Sequence, residues 1–348
     1  MGKNIVVFSD GTGQKGGVNN NTNIYKLFNM VEDRTKKQIT YYDPGLGTDW
    51  KKITGNVFGR GFSKNLLDCY QFIFENYEAG DDIFLFGFSR GAATVRSLSG
   101  FIHLFGVLPM ARKDIINEAF KIYTIRNKVQ RKNKAKRFIE LHHTMWVKIK
   151  FIGVFDTVSA LGFENRWIGT LFNRFLTHKF HSLDLSDSVI YARHALAIDE
   201  KRKTFLPKIW EKLEDGQPKD RLKQVWFCGV HTDVGGGYKE DELSHFSLKW
   251  MMDEATSKGL LIYEKAPAYI TFLEANKNID GKMHNEQLGF KGHLFRTEGR
   301  SWKESKNGKL LIHESVLKRT KNTANRKDPA YSPWILEMKD KIIECKNE

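Results

Sequence analysis

The chain has 348 residues, 41% of them hydrophobic, and a formal net charge of +15; that is enough apolar content for one large α/β domain, and no apolar run nears the roughly 18 residues of a membrane-spanning helix. Cys69, Cys228 and Cys345 are too scattered for a disulfide framework or a CxxC metal pair, which points to a reducing compartment. The opening "MGKNIVVFSDGTGQ" has no cleavable-leader pattern, so the expected location is cytoplasmic, or outside the cell by a route that removes no signal peptide.

"NIVVF" (4–8) is a short β-branched run that ends in a turn at Asp10-Gly11-Thr12. A helix follows, with Thr22 or Asn23 as N-cap and Ile24, Leu27, Phe28 and Val31 on one face. "QITYYD" predicts a second strand, and "RGFSKNLLDCYQFIFENY" a second amphipathic helix. "DIFLFGF" is a continuous apolar run of strand length, as a central parallel strand covered on both faces would be. "RGAATVRSLSGFIHLFG" is helical from its first residue. "WVKIKFIGVFDTVSALG" predicts a strand that ends at Asp156, "DSVIYARHALAIDEKR" a helix, "RLKQVWFCGVH" a strand ending at His231, and "ELSHFSLKWMMDEATSKGL" a helix. This alternation predicts an α/β fold, a mainly parallel sheet with helices on both faces. Residues 1–264 form its body. Residues 265–348 lose the regular pattern and are expected to pack on it as a basic lid or flank.

Ten Lys and Arg against two acidic residues crowd the stretch from Arg112 to Arg137. The segment is either a solvated helix and loop or a contact for an anionic surface. With no zinc-finger, RNA-recognition or helix-turn-helix pattern, nucleic acid is not expected as the partner, and an anionic membrane surface is the better candidate.

The informative stretch is Gly87-Phe88-Ser89-Arg90-Gly91. G-x-S-x-G between an apolar strand and an immediate small-residue helix is the pattern of a nucleophile elbow, a tight turn that lifts the serine above the sheet. The following helix would aim its first N–H groups at a developing oxyanion. The Arg90 N–H is one expected donor, and Gly11 or Thr12 the source of the second. A serine nucleophile needs a base and an orienting acid, here in the chain order serine, acid, histidine. Asp156 and His231 best satisfy that order at strand ends. His313 in "LLIHESVLKR" is the rival base, His194, His245 and His293 have weaker claims, and Asp199 and Asp233 are alternative acids.

Together "VVFSDGTG", "YYDPGLGT", "GDDIFLFGFSRGAATVRSLSGFI", "GVFDTVSALG", "HALAIDEKRKTF" and "VWFCGVHTDVGGGY" resemble the α/β-hydrolase domain of the type VI secretion phospholipase effectors. The likeness runs over about residues 3–260, with "IHESVLKR" beyond. It implies a Ser-Asp-His hydrolase of acyl esters, phospholipids among them, with Ser89 on the elbow position and Asp156 and His231 as acid and base. His245 stands where the family often has an acidic residue, and no large membrane-anchoring domain is evident. The expected partner is a lipid or small ester, and no cofactor is expected. Two other readings compete: a metal hydrolase with Asp10, Asp156 and Asp233 as oxygen ligands, and a non-catalytic basic binding module. A haloacid-dehalogenase-type phosphatase is disfavoured, because Phe8 stands where that chemistry needs an aspartate.

Overall fold

The computed structural model describes residues 2–11, 16–17, 20–45, 55–108, 112–158, 183–275, 278–286, 297–321 and 330–345. Eight strands form one parallel sheet: β1 (Asn4–Ser9), β2 (Gln38–Asp43), β3 (Asp82–Phe88), β4 (Ile149–Phe155), β5 (Val189–Ala197), β6 (Leu222–Phe227), β7 (Leu310–His313) and β8 (Ile342–Cys345). Their order is β2-β1-β3-β4-β5-β6-β7-β8. The chain steps outward from β1 to β2, then returns to the other side of β1 for β3. That reversal opens a crevice between the carboxyl ends of β1 and β3, the usual ligand position in such sheets.

Both faces of the central strands are buried, which is why they read as unbroken apolar runs. Alternate side chains go to opposite layers. Ile5, Val7, Ile83 and Leu85 join the helices α2 (Gly55–Asn76), α3 (Arg90–Phe105), α4 (Lys113–Tyr123) and α5 (Lys128–His142). Val6, Phe8, Phe84, Phe86, Phe151 and Phe155 pack on the other side, under α1 (Asn23–Phe28) and α7 (Ser244–Thr256). Phe8 and Phe86 stack at 5.2 Å across neighbouring strands. Each such ring removed from water stabilises the fold by about 1.5–3 kcal/mol.

Two expectations need correction. The "DSVIYARHALA" segment is β5, a strand and not a helix. Its Ala, Arg and His residues favour helix in isolation, but Val189, Ile190 and Tyr191 open a pleated run that hydrogen-bonds to β4 and β6 on its two sides. Tertiary pairing overrides the weak local preference. The buried Arg193 in that strand is neutralised by Glu254 at 2.5 Å and Asp220 at 2.7 Å. Likewise β6 ends at Phe227, before His231. The chain turns at Gly229, where φ is 105°, and His231 opens a short helix, α6 (His231–Gly235). Beyond residue 264, β7 and β8 extend the same sheet, with Trp226, Leu310, Ile312, Trp302 and Ile335 forming a third apolar cluster there. The lid or flank expected of this stretch is therefore, over these residues, sheet edge and the packing behind it.

Candidate active site

Ser89 follows β3 directly and has φ 58°, ψ −118°. A positive φ on a residue other than glycine is strained, and the two flanking glycines explain how the turn is tolerated. A Cβ on Gly87 would lie 2.7 Å from the Ala92 backbone, and one on Gly91 would lie 2.1 Å from the Ser9 carbonyl oxygen. The glycines thus let α3 start flush against the ends of β1 and β3. The Ser89 N–H is fixed by the Phe155 carbonyl at 3.1 Å.

Asp156 follows β4 and also has positive φ, 37°. Its N–H continues the ladder to Ala195 O at 2.7 Å. His231, at the start of α6, lies between the two: Ser89 Oγ is 2.9 Å from its Nε2, and Asp156 Oδ2 is 2.6 Å from its Nδ1. With Nδ1 protonated, the imidazole donates to the carboxylate and accepts the serine hydroxyl proton. Phe88 at 4.7 Å and Phe205 at 4.9 Å flank the imidazole ring, and all three polar residues are buried.

Burial by itself would push the Asp156 carboxyl up. The Arg300 charge and hydrogen bonds, with His231, reverse this and hold it well below the usual carboxylate range. Sequence reading missed Arg300. It donates from Nη1 to Asp156 Oδ1 at 2.6 Å and from Nη2 to Oδ2 at 2.8 Å. It also missed Glu200, which accepts the His231 N–H at 3.3 Å and is paired with Arg202 at 2.6 Å. Arg300 lies in no motif, while Glu200 and Arg202 fall within the "HALAIDEKRKTF" stretch.

The remaining candidates have other partners. His313 Nδ1 lies 2.8 Å from Ser315 Oγ, and its ring stacks on Phe227 at 4.7 Å. His194 is buried and held neutral, its pKa pushed down to about 3 by burial and by the nearby Arg96 charge. Its Nε2 accepts the Thr157 N–H at 3.1 Å, which fixes the loop behind Asp156. His293 and Thr12 lie outside the described residues. Asp233 accepts from Val230 N at 3.0 Å and contacts His284 Nδ1 at 2.7 Å, capping the helix that carries His231. Asp199 braces the same turn through Gly229 N and Tyr331 Oη, both at 2.7 Å.

Asp10 accepts from Gly11 N at 2.7 Å, Thr22 Oγ1 at 2.6 Å and Tyr42 Oη at 2.7 Å. The Gly11 N–H is therefore already committed to Asp10, and as an oxyanion donor it would have to leave that bond. Gly11 does lie beside the serine: a Cβ there would stand 3.6 Å from Ser89 Cβ. The set Asp10, Asp156 and Asp233 does not form a metal-ligating cluster; among the described residues no three His, Cys, Asp or Glu side chains are grouped to hold a metal ion.

Burial raises the Asp199 carboxyl to about 6. The fold therefore holds a proton that the unfolded chain releases near pH 4, and this contribution to stability is lost as pH rises from about 4 through 6. Asp199→Asn keeps an oxygen for both donors and removes the titration. The expected result is a flatter Tm between pH 4 and 6, with a Tm at pH 7 equal to or above that of the unmodified protein. Thermal melts over that range check it. Crippled ester turnover with a normal Tm would instead make Asp199 the acid.

A parallel α/β sheet with serine, histidine and aspartate in hydrogen-bonded series at its carboxyl edge defines a hydrolase-like α/β protein. The chain belongs to the type VI secretion Tle1-like phospholipase effector family: the model of that family's catalytic domain matches residues 3–254. An uncharacterised protein of Saccharomyces cerevisiae, YEL023C, is 30% identical over 229 residues, 59% of this chain and 32% of its own length. The chain thus spans about a third of that relative. An uncharacterised Pseudomonas aeruginosa protein of known crystal structure has a TM-score of 0.48 at 14% identity, covering 77% of this chain and 48% of its own. The Tle1 effector bound to the VgrG spike of a type 6 secretion system has a TM-score of 0.39 at 17% identity, covering 69% and 52%.

Proposed function

We propose that the chain is a serine hydrolase of carboxylic esters, with phospholipids as its substrate class. The observation that carries this is the unbroken series from Ser89 Oγ through His231 to Asp156 on a strained strand-to-helix elbow. Membership of a phospholipase effector family supports the lipid substrate. In this reading His231 takes the Ser89 proton as Oγ attacks the ester carbonyl, and Asp156 stabilises the resulting imidazolium. The Arg90 N–H, first in α3, receives the oxyanion. His231 then returns the proton to the leaving alcohol. Water repeats the sequence on the acyl-enzyme and releases the acid.

Fluorophosphonate labelling tests the reaction class: the unmodified protein should label and Ser89→Ala should not. Mass spectrometry of products released from mixed lipids and small esters tests the substrate. A folded protein that takes no label overturns the reading.

The basic face is a separate matter. Lys121, Arg126, Lys132, Lys134, Lys136 and Arg137 are exposed on α4, α5 and the turn between them. Lys121, Lys134 and Arg137, with Glu118, line a groove of about 440 Å³ whose apolar residues are Ile122, Ile125, Phe138 and Leu141, and Leu141 (70%) and Trp146 (55%) are exposed. We assign this face to anionic bilayers, where each Lys or Arg near the surface contributes about 1 kcal/mol. Trp146 lies just before β4, at the edge of the sheet opposite Ser89, so the face would gather protein at a membrane without presenting the serine to it. Replacing Lys132, Lys134, Lys136 and Arg137 by Gln is expected to weaken sedimentation with anionic vesicles and flatten its salt dependence. Turnover of a soluble short-chain ester should not change. Unaltered vesicle binding would make the face a solvated surface only.

A further inference from the structure

Among the described residues the Asp156 carboxylate has four hydrogen-bond contacts, two on each oxygen. Oδ1 accepts from Ala197 N at 3.0 Å and Arg300 Nη1 at 2.6 Å. Oδ2 accepts from Arg300 Nη2 at 2.8 Å and faces His231 Nδ1 at 2.6 Å. The guanidinium is itself anchored, through Nη1 to Ala197 O at 2.7 Å and through Nη2 to Phe205 O at 2.8 Å. Both side chains of the pair are fully buried. A serine, histidine and aspartate series needs only one cation beside its carboxylate, the imidazolium that forms during the reaction. Here a permanent cation already bridges both carboxylate oxygens, Oδ2 being shared with His231.

We propose that Arg300 is the positioning residue of this site: its two-pronged hold fixes Asp156 and, by neutralising it, leaves His231 a weaker attraction for its proton than an unpaired aspartate would give. This rests on the serine-hydrolase reading of the site. The imidazolium that forms in the reaction meets a carboxylate already hydrogen-bonded at both oxygens by Arg300.

The other groups facing His231 do not replace this effect. Ser89 is neutral. Glu200, on the backbone side of the ring, is closed by Arg202 at 2.6 Å. Asp233, two residues on in α6, is taken by His284 at 2.7 Å. Phe88 and Phe205 carry no charge, and Arg90 opens α3 beside the serine. Arg300 is thus the charge whose removal changes the field along the Asp156–His231 bond. Asp156 Oδ2 and His231 Nδ1 lie 2.6 Å apart, so the readout belongs to the pair.

The test compares the full-length protein with Arg300→Gln, which removes the charge, and Arg300→Lys, which keeps it but loses the fork geometry. Two measurements are made on each: the acid limb of kcat/KM against pH with a soluble ester, and the ¹H NMR titration of the downfield proton between His231 and Asp156. With Gln, both midpoints are expected to move up by about one pH unit or more, a tenfold loss of active base at a fixed pH on the acid limb. With Lys, they are expected to stay within a few tenths of a unit of the unmodified protein, while kcat falls. A Gln variant that melts lower but keeps its midpoint would show a purely structural role and overturn the proposal. So would a Lys variant whose midpoint rises as far as that of Gln. If the Gln variant does not fold, Arg300→Met, an uncharged side chain of similar length, takes its place in both measurements. If fluorophosphonate fails to label the unmodified protein, the hydrolase reading falls, while the NMR titration still answers for Arg300.

Discussion

Ser89→Ala is expected to lower ester turnover by roughly four to six orders of magnitude while leaving the fold intact. The side chain removed makes one hydrogen bond, to His231 Nε2 at 2.9 Å, whose net contribution to stability is about 1 kcal/mol. Alanine meets the same backbone strain at φ 58° that serine already tolerates. The loss is therefore chemical: no oxygen remains to form the acyl-enzyme. Steady-state rates on a soluble ester, beside a thermal melt, separate the two effects. A folded variant with near-normal rates would remove serine from the mechanism.

Asp156→Asn should give the second large effect, and a different kind of one. Turnover is expected to fall by about 10⁴-fold, as the imidazole loses its fixed tautomer. The variant should also lose stability, because the buried Arg300 guanidinium is left without its anion. Stranding one partner of a buried ion pair costs about 3–5 kcal/mol. His231→Ala should match the kinetic loss without that penalty, since His231 is not needed to neutralise Arg300. Combining either change with Ser89→Ala should cost little more in rate, because the three act as a unit. The Asp156→Asn Arg300→Gln pair should melt higher than Asp156→Asn alone. Rates and melts for the set decide the assignment. If His313→Ala inactivates and His231→Ala is mild, the base is His313 and the geometry at His231 is incidental.

Much of this site was legible because its signals are local. Five residues, Gly87 to Gly91, carry a steric requirement that spacing alone displays, since the backbone approach at each glycine leaves no room for a Cβ. Asp156 and His231 stood out through chain order and nearness to strand ends, although His231 lies beyond β6, past a turn at Gly229 that pattern reading ran through. The strand β5 was hidden because its interior Ala, Arg and His residues carry helical preference, and what makes it a strand is its two neighbours. Arg300 was hidden for a deeper reason. It is a lone arginine in an irregular stretch, 144 positions from the carboxylate it neutralises, and no periodicity encodes such a pairing. Of the two amides expected as second oxyanion donor, Gly11 donates to Asp10 and Thr12 lies outside the described residues.

The match to the effector family stops at residue 254, yet the sheet and the charge balance of its acid do not. Arg300 arrives from beyond that boundary, and so do the strands that cover the outer side of β6. A chain cut there would bury a carboxylate with no counter-ion and leave the unpaired edge of β6 open to other chains, a known route to aggregation. The structural unit around Asp156 therefore extends past the residues that the family model matches. Asp156, in the second quarter of the chain, and Arg300, in the last, form one electrostatic whole, and any exchange of such domains between relatives would have to carry the tail along with the Asp156 segment.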